Sequence, residues 1–129
     1  WVEESLLSVL AEERVGCIAF SPLAKGLLTE RYLSGIPTDS RAAGPSVFLK
    51  PEEITAELRS KVSALNALAK ERGETLAQMA LAWVLRHDEV TSVLIGASKP
   101  SQIKDCVGVV NSAPFSVEEL QRIDQILKG

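Results

Sequence analysis

Cys17-Ile18-Ala19-Phe20-Ser21-Pro22-Leu23-Ala24-Lys25-Gly26 is the stretch that decides the fold. Its first four residues are apolar without alternation and stop at Ser-Pro, the pattern of a short strand covered on both faces. A second run, Val90 to Ile95, reads the same way and is closed by Gly96-Ala97-Ser98. Between and around these strands the spacing turns helical. Leu6, Leu7, Leu10 and Ala11 mark a surface helix from Glu3 to Arg14, with Gly16 as its left-handed stop. Pro51 suits a first helical position, and Ile54, Leu58, Val62, Leu65 and Ala69 carry one face as far as Gly73. Thr75 and Gln78 then form a capping-box pattern, opening a helix through Leu85 that is apolar on almost every side and needs protein all round it. Pro100 opens a helix through Val107, and Ser116 with Glu119 opens a last one through Leu127.

Helices alternate with strands, so the chain is α/β. Two strands do not make a stable sheet in water, and both are too apolar to face it, so further strands must flank them. A right-handed parallel arrangement with helices outside satisfies this, as in a (β/α)8 TIM barrel, which takes about 250 residues. The 129 residues amount to about half of one. Trp1 stands where a whole protein would carry Met, and helical patterning begins at once, so residues 1–129 read as a single partial domain of a longer chain.

The composition bounds the partners. Apolar residues make up 46% and charged residues 24%, the balance of a globular domain. Fourteen basic against 17 acidic residues give a net charge of −3 with no basic stretch, which argues against nucleic acid and anionic membrane surfaces as partners. Without a run of roughly 18 to 20 apolar residues or a signal-peptide pattern, the expectation is no membrane span and a cytoplasmic location. Cys17 and Cys106 lack the spacing of a zinc site or redox pair, and read as buried or half-buried thiols with no metal.

Chemistry is expected where parallel α/β folds bind ligands, at the C-terminal strand ends. Two loops stand there, Ser21 to Gly26 and Gly96 to Gln102. In the second, small residues admit a ligand to the backbone and the following helix offers N–H groups to a phosphate. Arg31 and Arg41 lie in the long segment from Ala24 to Ser46, which holds five glycine or proline breakers, and their guanidinium groups suit charge pairing or stacking on a base. The plainer reading is that Ser98 caps a helix, Gly26 and Gly96 turn the chain, and the arginines are solvated; spacing alone does not choose between the two. His87, the sole histidine, reads as a helix-end or solvated group rather than a catalytic one, and Tyr32 as packing against Leu28 or Leu33. Trp83 and Met79 belong to the core.

Three ordered motifs carry a resemblance: Gly16 to Leu28, Gly35-Ile36-Pro37 with Asp39-Ser40-Arg41, and Ser92 to Ser98. Together they resemble the C-terminal part of an aldo-keto reductase, in the branch of the potassium-channel beta subunits and the bacterial reductases acting on glyceraldehyde 3-phosphate. The resemblance implies that Cys17 to Phe20 is barrel strand seven and Val93 to Ile95 strand eight. It implies NADPH as cofactor. Ser21, Pro22, Leu23, Ala24 and Gly26 would lie along its nicotinamide half and pyrophosphate, Arg31 near the phosphates, and Arg41 at the adenosine end. Gly96, Ser98, Gln102 and Asp105 would form the adenosine and 2′-phosphate pocket, Asp105 standing in for a glutamate that accepts from the adenine amino group. Two positions depart from the family pattern: Cys106 replaces an asparagine, and Gln102 stands where many NADPH-specific relatives carry arginine. The family's catalytic aspartate, tyrosine, lysine and histidine match nothing here, so no catalytic residue is expected within the chain.

The resulting expectation is the cofactor-binding part of a reductase of aldehydes and ketones, with a small carbonyl substrate as partner and association into a homo-oligomer left open. The alternatives are a nucleotide-sensing regulatory or interaction subunit and a fragment without activity.

Overall fold

The computed structural model describes residues 2–35, 38 and 51–129. A π-helical turn, Val2–Leu6, leads into α1 (Leu7–Glu13) and then β1 (Cys17–Phe20). After three short 3-10 turns among the described residues come α2 (Ala56–Glu71), α3 (Leu76–Val84), β2 (Val90–Leu94), α4 (Pro100–Val107) and α5 (Val117–Lys128). The expected element order holds. β1 and β2 pair in parallel, with Ile18 opposite Ser92, Ala19 opposite Val93 and Phe20 opposite Leu94, and an irregularity between Cys17 and Ile18. Parallel strands require a long crossover, and α2 and α3 supply it.

Several boundaries differ from the sequence reading. Arg14, at φ 55°, takes the left-handed position after α1, and its N–H donates to Ala11 O. Gly16 is needed for space instead: a Cβ there would stand 2.5 Å from Thr91 Oγ1, so the bare backbone lets β1 approach β2. Pro51 opens only a 3-10 turn, Pro51–Glu53, and α2 starts at Ala56 behind Thr55, whose hydroxyl accepts the Leu58 N–H at 3.1 Å. A β-region residue with a side-chain acceptor is the better N-cap. The strands are also less covered than expected. Ile18, Phe20 and Leu94 are 61%, 80% and 59% exposed, because among the described residues no element covers the face they share.

The core lies among the helices. Val62, Leu65, Leu68 and Ala69 of α2 meet Leu76 and Met79 of α3 and Ile123 of α5. Burying each leucine side chain there contributes about 1.5–3 kcal/mol. Met79 is core as expected, whereas Trp83 is only half-buried, stacked under the Arg86 guanidinium at 3.7 Å. The Thr75–Gln78 and Ser116–Glu119 capping boxes both form. Arg72, at the end of α2, reaches across to Glu119 in the first turn of α5 at 2.7 Å and fixes the two helices at one point. No helix among the described residues is long and apolar enough to cross a membrane.

Candidate functional site

The loop after β1 is held in an uncommon backbone conformation. Ser21 (φ 54°), Ala24 (46°), Lys25 (61°) and Gly26 (99°) all lie in the left-handed region. Three of them bear a Cβ, and each such residue costs roughly 1–3 kcal/mol unless its surroundings fix it. Hydrogen bonds do so: Ala24 N–H donates to Ser21 O at 3.0 Å, Gly26 N–H to Leu23 O at 2.8 Å, and the Thr29 hydroxyl to Gly26 O at 2.7 Å. Strain accumulated at the C-terminal end of a strand marks the place where a fold gives up stability for shape.

The loop after β2 is closed by a side chain. Gln102, in the first turn of α4, folds back so that its Oε1 accepts Ser98 N–H at 2.7 Å, Lys99 N–H at 3.1 Å and the Ser98 hydroxyl at 3.2 Å. Ser98 therefore does not cap α4. Lys99 is the N-cap residue, and the Gln102 amide oxygen satisfies the backbone donors at the helix start.

These two loops border one cavity of about 690 Å³. Ser21, Pro22, Leu23, Gly26, Arg31, Gly96, Ser98, Gln102 and Asp105 all line it, so nine of the expected site residues converge. Ala24 belongs to the same loop but is not part of the lining, and Arg41 lies outside the described residues, as do Ile36, Pro37, Asp39 and Ser40. His87 is remote: its carbonyl accepts the Val90 N–H at the opposite end of β2, and its Nε2 is 3.5 Å from Glu3 Oε1.

The wall contains residues that the sequence reading left out, chiefly Lys25, Lys99, Thr75 and Tyr32. Lys25 and Lys99 sit inside the very loops singled out, and cationic side chains next to an expected phosphate site were the available signal. Thr75 had no such signal, since its capping role accounts for it locally and only the tertiary fold brings it to Asp105. Tyr32 is buried against Ile54 and Leu27 rather than against Leu28 or Leu33. The chemistry of the wall is mixed. Lys25, Arg31 and Lys99 bring positive charge, and Lys25 makes an exposed 3.5 Å pair with Glu53, a contact of little strength. Asp105 accepts from the Thr75 hydroxyl at 3.2 Å on both oxygens and from Gln78 Nε2 at 3.0 Å. Burial, reinforced by the Asp105 charge, pushes the Cys106 thiol above its usual range.

Residues 1–128 match the Aldo/keto reductase family. The L-glyceraldehyde 3-phosphate reductase of Escherichia coli (strain K12) is 50% identical over 129 residues, covering 97% of this chain and 37% of that protein. A probable voltage-gated potassium channel subunit beta of Arabidopsis thaliana is 36% identical over 131 residues, 99% of this chain and 40% of that one. Among solved structures, the glycerol dehydrogenase of Gluconobacter oxydans matches 98% of this chain with a TM-score of 0.73 at 26% identity, over 38% of its own length. The holo form of an aldo-keto reductase from Bacillus halodurans matches 95% with a TM-score of 0.64 at 27% identity, over 37% of its length. The chain thus spans roughly two-fifths of the relatives it matches, and the family match runs through both strand-end loops that border the cavity. By sequence and by fold, the chain belongs to the aldo/keto reductase family.

Proposed function

We propose that these residues form the C-terminal, cofactor-gripping part of an NADPH-dependent aldo-keto reductase, with β1 and β2 as barrel strands seven and eight. The observation that carries this reading is the single cavity bordered by both strand-end loops. Its donor set suits a dinucleotide: three cationic side chains for phosphates, small residues at Gly26 and Gly96 for close approach, and acceptors at Asp105 for an amine or hydroxyl. Ser21 to Gly26 would hold the nicotinamide half and pyrophosphate, Arg31 the phosphates, with Arg41 at the adenosine end, and Gly96, Ser98, Gln102 and Asp105 the adenosine and its 2′-phosphate. The bound cofactor supplies hydride for reduction of a carbonyl carbon. The residues present bind and orient; the strained loop after β1 keeps its backbone shape without reorganisation when ligand arrives. The family's catalytic residues match nothing in 1–129, so the proton donor is assigned to the rest of the protein and not to Tyr32.

Aldehydes and ketones are the substrate class, and a three-carbon phosphorylated aldehyde is the first to try, given the name of the half-identical relative. The protein would act in the cytoplasm, on a small molecule, with homo-oligomer formation as its open partner question. Titration of the full-length protein with NADPH and NADH, followed by cofactor fluorescence, tests the reading. Tighter binding of NADPH is expected. Tighter binding of NADH would remove the 2′-phosphate from the Gly96–Gln102 loop, and no binding of either would end the proposal.

A further inference from the structure

Gln78 lies behind the cavity wall rather than in it, yet it touches both helices that build the wall. Its Oε1 accepts the Thr75 N–H at 3.1 Å, which caps α3, while its Nε2 donates to the Asp105 carbonyl oxygen at 2.8 Å and to Asp105 Oδ1 at 3.0 Å on α4. Thr75 Oγ1 accepts the Gln78 backbone N–H at 3.2 Å and donates its own proton to the same carboxylate. One amide therefore uses its acceptor on one helix and its donors on the other, fixing the carboxylate of Asp105, a residue that lines the cavity. With Oδ1 taking two donors and Oδ2 only a share of one, the carboxylate keeps acceptor capacity for a ligand group.

The third element is Gly108, just after α4. A Cβ at that position would collide with Gln78 Nε2, so the glycine leaves room for the amide to reach Asp105. The backbone there, at φ −55°, accepts any L-residue without strain, so room for this amide, not turning the chain, is what calls for glycine.

We propose that Gln78 is a positioning residue for the cavity: it holds Asp105 as an acceptor for an amine or hydroxyl of the adenosine half of the ligand, and Gly108 exists to admit its amide. The inference rests on the dinucleotide reading above. The sequence pattern explains Gln78 as the closing member of a capping box; that role needs only Oε1, and a glutamate serves it equally well. The donor side of the amide is what the capping role leaves unexplained.

The test measures dissociation constants of the full-length protein for NADPH and for reduced nicotinamide mononucleotide, which lacks the adenosine half, in wild type, Gln78→Glu, Gln78→Ala, Gly108→Ala and the Gln78→Ala/Gly108→Ala double variant. Gln78→Glu keeps the cap and sets a carboxylate against Asp105; Gly108→Ala displaces the amide from outside the cavity. Both are expected to weaken NADPH about tenfold and leave the mononucleotide within twofold, and Gly108→Ala is expected to add nothing once Gln78 is alanine. Unchanged NADPH binding, equal loss for both ligands, or a Gly108→Ala effect that persists in the double variant would each overturn the proposal. Wild-type protein that binds both ligands equally would also overturn it while leaving the nicotinamide site standing, whereas wild type that binds neither would overturn the dinucleotide reading itself. Should the Gln78 variants fail to fold, Gly108→Ala decides alone, through the ratio of its two affinities.

Discussion

Replacing Arg72 by alanine removes the most connected side chain of the described fold. Its side chain is 5% exposed, and the guanidinium donates to Glu119 Oε1 at 2.7 Å, to the two oxygens of Glu74 at 3.2 and 3.4 Å and to the Ala113 carbonyl at 2.6 Å, while lying 4.1 Å from the centre of the Phe115 ring. The cost is set less by the lost bonds than by what they leave behind. Glu74, its side chain 10% exposed, and Glu119, 22% exposed, become half-buried carboxylates without this cation. Removing one partner of a fully buried pair costs about 3–5 kcal/mol, which sets the ceiling for these half-buried carboxylates. Glu119 still accepts the Ser116 N–H at 2.7 Å and both carboxylates keep some solvent, which places the expectation below that range, about 2 kcal/mol. Lysine restores the charge without the planar fork, so Arg72→Lys should recover only part of the loss. The assay is urea unfolding of the full-length protein at neutral pH. Acid adds a second reading. The Glu119 carboxyl is held below 4.5 first by its Ser116 backbone hydrogen bond and then by Arg72. A depressed carboxylate contributes stability above its unfolded pKa and loses it as pH falls through the folded value, so wild type should weaken below about pH 4.5 and Arg72→Ala should show a shallower fall. A loss under 1 kcal/mol at neutral pH would refute the buried-cluster argument.

Gly16→Ala should destabilise by about 1–3 kcal/mol through the clash with Thr91 Oγ1, and Thr91→Ala should relieve most of that loss, as a double-mutant cycle in urea would show. Arg14→Gly should stabilise by about 1 kcal/mol, read as a raised melting temperature, because glycine takes the left-handed position without a Cβ penalty. Arg41→Ala should weaken NADPH binding by about 1–3 kcal/mol, the scale of a lost charged hydrogen bond, and an unchanged dissociation constant would remove Arg41 from the site.

The elements were legible because their signals are local. The apolar run Cys17 to Phe20 and the largely apolar, β-branched run Val90 to Ile95 marked the strands, and Thr75–Gln78 and Ser116–Glu119 marked two helix starts to the residue. The failures are local choices settled by distant atoms. Gly16 is a glycine because of Thr91, some 75 residues on, and a reading confined to its own helix assigns it a stop instead. Pro51 lost the start of α2 to Thr55, since a side-chain acceptor outweighs a preset φ. The site was legible as two loops, because strand ends and small residues announce themselves, but not as a wall. Asp105 was placed by resemblance as a ligand acceptor; that Thr75 and Gln78 hold it follows only when α3 and α4 are seen side by side. The apolar strands were expected to be covered on both faces, and the described residues cover one.

The central claim is that both strand-end loops grip a single dinucleotide, and a crystal structure of the full-length protein with NADPH tests it most directly. The adenosine and its 2′-phosphate are expected against Ser98, Gln102 and Asp105, and the nicotinamide half along Ser21 to Gly26. Cofactor density that touches neither loop, or only one of them, would contradict it.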